Sequence, residues 1–342
     1  MRRDHLSYLV CPDCKQDLQI ASSDAEASGR IESGTLRCTA CGKEYPILRG
    51  IPRFVPAENY ARGFGFQWNK HARTQYDSTS GSKLSETRFF EETKWPRQLQ
   101  GQTILEVGSG SGRFTEHACS TGAMVVTLDL SSAVEANYAS NGNKDNVLIL
   151  QADVYRLPLR PGTFDKLFCF GVLQYTPDPR RTVLVLSQYL RDGGQLAVDV
   201  YRRHFWLRQM FITRHWVRPF TRNMEPEKLY QLVDQYVRFM WPVTGLINKL
   251  PYGKTFNWQL LVADYRGVHP LPDETLREWA VLDTFDILNP TYEFPQTAET
   301  LRKWLSEAGF EGIDVHPGYN GIEGRAQKKM SSQPAAKSLI AS

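Results

Sequence analysis

TILEVGSGSGRFTEHACSTGAMVVTLDLS, residues 103–131, reads as strand, glycine-rich turn, helix and second strand. Ile104, Leu105 and Val107 form a short apolar run that breaks at Gly108, Gly110 and Gly112. A helix of mixed character follows, and the next apolar run, from Met124, ends at Asp129. Such a unit sets turn N–H groups and a helix N-terminus beside whatever binds at the strand's carboxyl end. NAD, FAD and S-adenosylmethionine (SAM) are all open at this point. The dinucleotide fingerprint G-x-G-x-x-G is not met, because the third glycine falls one residue early.

Outward from this unit, strand patterns recur at 147–151, 164–170 and 194–200, with helical stretches between most of them. That alternation implies βαβ units and a mostly parallel sheet, an α/β fold. Glu106 is an acid at the end of a buried strand, where an unpaired carboxylate costs several kcal/mol, so a functional role, in binding the cofactor, is expected of it. Asp129 ends the second strand, where a carboxylate accepts both hydroxyls of a ribose. Asp153 ends the third, placed to accept from an adenine amino group.

The 342 residues are enough for two or three domains, and 41% hydrophobic with 23% charged residues is ordinary for a globular chain. A net charge of +4 is too small to argue for nucleic acid by itself. The longest apolar run, 167–173, is strand length and excludes a membrane-spanning helix as the reading. Six cysteines, four of them in paired spacing, point to a reducing cytoplasm rather than a disulfide scaffold.

Taken in order, EVGSGSGRF, LDLS, ADVYRLPLRPGTFDKLFCFGVLQYTPDP and LRDGGQLAV resemble the class I SAM-dependent methyltransferases, over roughly 85–200 and again 298–328. The resemblance implies a seven-stranded Rossmann-like sheet with its last strand antiparallel and SAM across the carboxyl ends of the first strands. It carries Gly108, Gly110 and Gly112, with Ser109 between them, to the methionine part. It carries Asp129, with Leu130 beside it, to the ribose, Asp153 and Val154 to the adenine, and Phe170 and Gly171 to the sulfonium. Many relatives have histidines where this chain has Gln174 and Tyr175.

Cys11-x-x-Cys14 and Cys38-x-x-Cys41 are two knuckles that suit tetrahedral, structural Zn²⁺, all four positions being closed by thiolate. Residues 5–56 resemble the small zinc-ribbon subunit that activates tRNA and release-factor methyltransferases. The stretch SSDAEASGRIESG between the knuckles reads as a low-complexity loop longer than that pattern requires.

The expected organisation is a zinc ribbon at 1–56, a helical cap at 57–100, the SAM-binding core at 101–200 and a helical acceptor-side insert at 201–297. The insert precedes the last two strands, which belong to the end of the core at 298–329, and a disordered tail follows at 330–342. Phe64, Phe66, Trp68 and Tyr76 are expected to cap the cofactor. A hydroxyl acceptor needs a base, for which His204 and Tyr292 are the candidates. Residues 201–222 hold six arginines and no acid among aromatics. Phe205, Ile212, Trp216 and Phe220 approximate one helical face, which reads as the packed side of a helix with a solvated basic face, as a lid over a bulky apolar or anionic acceptor, or as an RNA- or membrane-surface patch. The function expected is methyl transfer to a small-molecule, lipid-like or natural-product acceptor. An RNA (tRNA or rRNA) methyltransferase and a non-catalytic SAM-binding scaffold are the alternatives.

Overall fold

The computed structural model describes residues 1–56, 58–203 and 213–330. The chain opens with β1 (Leu18–Ala27), β2 (Arg30–Cys38), β3 (Glu44–Leu48) and β4 (Ile51–Pro52), a four-stranded antiparallel sheet in that order. The segment expected to be a loop is instead the end of a hairpin, paired from Leu18↔Cys38 out to Ala27↔Arg30. Ser28 and Gly29 turn it with φ of 50° and 73°, the two left-handed residues a tight two-residue hairpin turn demands. Small polar side chains concealed the strands: residues 24–27 of β1 are all exposed, and of residues 30–33 on β2 Ile31 alone is buried.

Three helices follow, α1 (Arg62–Lys70), α2 (Asp77–Ser80) and α3 (Leu84–Thr93). The core then alternates β5 (Thr103–Val107), α4 (Arg113–Ser120), β6 (Met124–Asp129), α5 (Val134–Asn141), β7 (Val147–Gln151), β8 (Phe164–Cys169), α6 (Pro179–Ser187) and β9 (Leu190–Val200). The insert carries α7 (Arg214–Thr221), α8 (Pro226–Ile247), α9 (Gly253–Gln259) and α10 (Asp273–Leu288). After it come α11 (Ala298–Glu307), β10 (Phe310–Gly318) and β11 (Gly321–Lys328).

The large sheet runs β10-β11-β9-β8-β5-β6-β7. Its pairs from β9 to β7 are parallel, and β11 enters antiparallel to both β9 and β10. Leu105 sits between Val126 and Leu167, all three buried, so β5 is the centre of the core. Chain order reverses between β5 and β8, the crevice where open α/β sheets bind their ligands.

An uncovered β7 would leave a row of unpaired amides and carbonyls. The N-terminal segment covers it: Arg53 bridges Gln151 in parallel, and Phe54 N donates to Gln151 O at 2.9 Å. Val10 N donates to Pro158 O at 2.9 Å on the loop that follows. Leu9, Ile31, Leu36 and Ile47 share one buried cluster with Leu148, Leu150, Leu157 and Leu159. The ribbon and the sheet therefore have a common hydrophobic core.

Candidate functional site: a two-ended cavity at the glycine turn

A cavity of about 870 Å³ opens over the carboxyl ends of β5, β6 and β8. Gly108, Ser109 and Gly110 form one wall, with Asp129, Leu130, Val154, Phe170 and Gly171 beside them. Gly108 and Gly110 have φ of 81° and 53°, which side-chain-bearing residues rarely adopt, and a Cβ on Gly108 would fall 2.1 Å from Val172.

Asp129 is anchored from two sides. Its Oδ2 accepts from Gly110 N at 2.9 Å, and its Oδ1 accepts from Ser131 N at 2.8 Å and Ser131 Oγ at 2.7 Å. Burial pushes its carboxyl above the usual range, and those donors oppose the shift. With two donors already on Oδ1, it is Oδ2 that keeps a lone pair for a further donor.

Three residues expected on the cofactor stand elsewhere. Gly112 packs under α5, where a Cβ would meet Asn137 Oδ1 at 2.2 Å. Asp153 caps a short turn, its Oδ1 accepting from Tyr155 N at 2.9 Å, while Ala152 and Val154 on either side line the cavity. Glu106 lies below the turn and takes the hydroxyls of Thr115 and Thr127. Strand alternation points it to the α4 side, and burial pushes its carboxyl up to about 7.

An acid whose folded pKa lies above its unfolded value binds more protons when folded, so stability falls as pH rises from about 4.5 to about 7. Glu106→Gln should remove that loss, worth about 3 kcal/mol at most. Thermal melts should show the variant gaining on the parent at pH 8 and not at pH 4. A gain equal at both pH values would contradict the assignment.

The helical cap divides by periodicity. Phe64 and Trp68, one turn apart on α1, line the cavity with Tyr60. Phe66 points away and packs on Tyr230 and Phe285, and Tyr76 is buried with its hydroxyl donating to Ser111 O at 2.6 Å. Arg88 also lines the cavity and is held by two buried acids, Glu92 and Asp199. Asp199 in turn accepts from Gly171 N. Arg113 is bonded to the neutral Gln75 and stacked on Phe114, with burial pulling it down to about 10.

The far end of the cavity was not legible from motifs. Trp279, Leu282, Asp283, Asp286 and Ile287 line it from α10, and their spacing puts them on one helical face. Trp258, Tyr265 and His269 complete that wall. Tyr265 donates to Asp283. Tyr175 Oη lies 2.9 Å from Asp286 Oδ2 and 2.9 Å from Tyr201 Oη. One phenolic proton cannot serve both, so with Tyr175 donating to the carboxylate, Tyr201 donates to Tyr175. Burial and the nearby Asp283 push Asp286 up to about 7. Two acids interrupting the apolar face of EWAVLDTFDIL were the available signal.

Tyr292 stands a layer back, its ring edge-on to Tyr60 and stacked on Phe294, and it is not among the cavity-lining residues. His204, Phe205 and Ile212 lie outside the described residues. Trp216 and Phe220 are exposed on α7 and are not among the cavity-lining residues, although Arg214 of the same helix is. Arg214 and Arg218 both pair with the buried carboxylate of Glu293.

Under the ribbon, the sulfurs of Cys11, Cys14, Cys38 and Cys41 all lie within 4.8 Å of one another, Cys14 to Cys38 at 3.4 Å and Cys11 to Cys41 at 3.7 Å. A tetrahedral zinc with Zn–S bonds of about 2.3 Å needs sulfurs about 3.8 Å apart. The donor set fits that metal.

Residues 105–198 match the family model described as methyltransferase domain, and residues 2–50 match that of Trm112p-like protein. Residues 105–198 thus carry a methyltransferase domain, and residues 2–50 a Trm112p-like one. A ubiquinone biosynthesis O-methyltransferase of Aromatoleum aromaticum is 30% identical over 111 residues, 31% of this chain and 47% of that protein. An uncharacterized Synechococcus protein is 27% identical over 143 residues, 40% of this chain and 31% of its own. The chain thus spans half or less of the length of these curated relatives. Among solved structures, a Haloferax volcanii complex containing the Trm112 methyltransferase activator aligns with TM-score 0.45 and 13% identity, covering 81% of this chain and 100% of that one. Among the described residues no helix is long and apolar enough to cross a membrane.

Proposed function

We propose that this chain transfers a methyl group from SAM to a small or lipid-like acceptor, and that its four paired cysteines hold a structural zinc. One observation carries the reading: the glycine turn with Asp129 and the aromatic, acidic wall of α10 face a single chamber. Its volume of about 870 Å³ is at the upper end for a ligand pocket, enough for donor and acceptor together. When bound, SAM supplies an electrophilic methyl group on a sulfonium.

Asp129 receives the ribose hydroxyls, and Val154 and Leu130 flank the adenine. Phe170 and Gly171 form the floor under the sulfonium. Arg113, with no acid bonded to it among the described residues, meets the amino-acid carboxylate together with the N-terminus of α4. At the far end, Asp286 accepts the proton that the acceptor's hydroxyl or amine gives up as the methyl arrives. Tyr175 and Tyr201 hold its orientation. A carboxylate poised near neutral pH suits that role. Trp258, Trp279 and Leu282 exclude water and offer an aromatic, apolar bed. RNA recognition would call for an open basic groove with stacking faces, whereas Arg214 and Arg218 are held by Glu293. Four thiols kept free for a metal support a cytoplasmic setting.

The donor half is tested by calorimetry with S-adenosylhomocysteine. Hydrogen bonds to a charged acceptor are worth about 1.5–3 kcal/mol each, so Asp129→Ala should weaken binding at least about tenfold. Unchanged affinity in a folded variant would remove the nucleotide from this end of the cavity.

A further inference from the structure

Helix α8 carries two apolar stripes. Leu229, Val233, Val237 and Trp241 are buried in a cluster shared with Leu276, Ala280 and Phe285 of α10. The second stripe is Leu232, Tyr236, Phe239, Val243, Leu246 and, just past the helix, Leu250. Its steps alternate between four and three, so it follows one side of the helix. All six are exposed, Phe239 at 75% and Leu246 at 66%. The apolar surface continues at α9, where Tyr252 and Phe256 are exposed, and reaches Trp258, itself part of the cavity wall. Single exposed hydrophobes are ordinary; a run of them leading to a binding cavity marks an interaction surface.

Charge decides what covers it. Residues 213–260 contain seven arginines and lysines against three acids. Arg214 and Arg218 are bound by Glu293, and Arg238 by Asp234. Arg222, Lys228, Lys249 and Lys254 have no ion-pair partner among the described residues. A second copy of the chain would bring the same cationic excess to a two-fold seam, where like charges would meet. An anionic surface brings the complement.

We propose that the outer face of the insert, built on α8 and α9, docks on an anionic lipid bilayer. Its apolar stripe enters the headgroup–acyl boundary and its cations meet lipid phosphates. The attachment is interfacial, since among the described residues no helix is long and apolar enough to cross a membrane. An acceptor dissolved in the bilayer would then reach the cavity past Trp258, a step that rests on the acceptor reading above, whereas the docking itself does not.

Sedimentation of the full-length, zinc-loaded protein with lipid vesicles tests this. The protein should pellet with vesicles of phosphatidylcholine mixed with phosphatidylglycerol, and far less with phosphatidylcholine alone. Added salt should weaken the binding without abolishing it, because apolar burial is not screened. The double variant Phe239→Ser, Leu246→Ser should lower the vesicle partition coefficient at least about tenfold. Both positions are exposed, so its circular dichroism and S-adenosylhomocysteine affinity should match the parent. Parent protein left in the supernatant with both vesicle types would overturn the proposal, as would a variant that pellets like the parent. So would a parent dimer, seen by light scattering, that the double variant converts to monomer, since the stripe would then be a self-interface. S-adenosylhomocysteine binding measured on the same samples separates the two readings: its loss in a protein that still docks would count against the cavity assignment alone.

Discussion

Replacing Cys38 by Ser, or withdrawing the metal with a strong chelator, is expected to unfold the first 56 residues and lower the melting temperature of the whole chain. Metal binding to a closed four-thiolate site is coupled to folding by about 10–16 kcal/mol in small zinc domains. Without it, the two turns carrying Cys11–Cys14 and Cys38–Cys41 have little to hold them together. The effect should not stop at the ribbon. Ile31, Leu36 and Ile47 pack into the same core as Leu148, Leu150, Leu157 and Leu159, and Arg53 and Phe54 occupy the edge of β7. Losing them exposes both apolar surface and an unpaired strand. Zinc content and a thermal melt on the same sample check this: a zinc-free variant that melts like the parent would refute it.

Asp286→Asn is expected to cut turnover by about 10²–10⁴-fold while leaving S-adenosylhomocysteine affinity nearly unchanged. Asparagine keeps the shape and can still accept from Tyr175, but it cannot take a proton. Asp283, Glu293, Gln67, Tyr175 and Tyr201 surround the carboxylate, and burial with the neighbouring Asp283 holds its pKa at about 7. The parent rate should therefore rise with pH up to about 7 and level off above it, because the base is active when deprotonated. Tyr175→Phe removes a hydrogen bond that holds this pKa down, so it should lower the rate less and keep the acid limb, moved to higher pH. An acid limb that survives in Asp286→Asn would assign the base elsewhere.

The parts of the molecule readable in advance are those in which neighbouring residues carry the signal. The β5–turn–α4–β6 unit is such a case, since an apolar strand, positive-φ glycines and a terminal acid lie within thirty residues. The cysteine knuckles are another, because metal geometry is written in their spacing. Glu106 shows where this ends: its position at a strand end was clear, but the side of the sheet it faces depends on Thr115 and Thr127 packing beneath the turn. Phe64, Phe66 and Trp68 looked alike in sequence, although a helix puts the first and third on one side and the second behind. The acids of α10 were passed over because acidic helix positions usually face water. Only the tertiary fold turns Asp283 and Asp286 inward.

Incubating the zinc-loaded protein with methyl-tritiated SAM and cell extract, then separating organic-extractable molecules from RNA, tests methyl transfer to a small acceptor most directly. Label should accumulate in the organic-extractable fraction and fall sharply with Asp286→Asn. Label confined to nuclease-sensitive material, or no transfer by protein that binds S-adenosylhomocysteine, would contradict it.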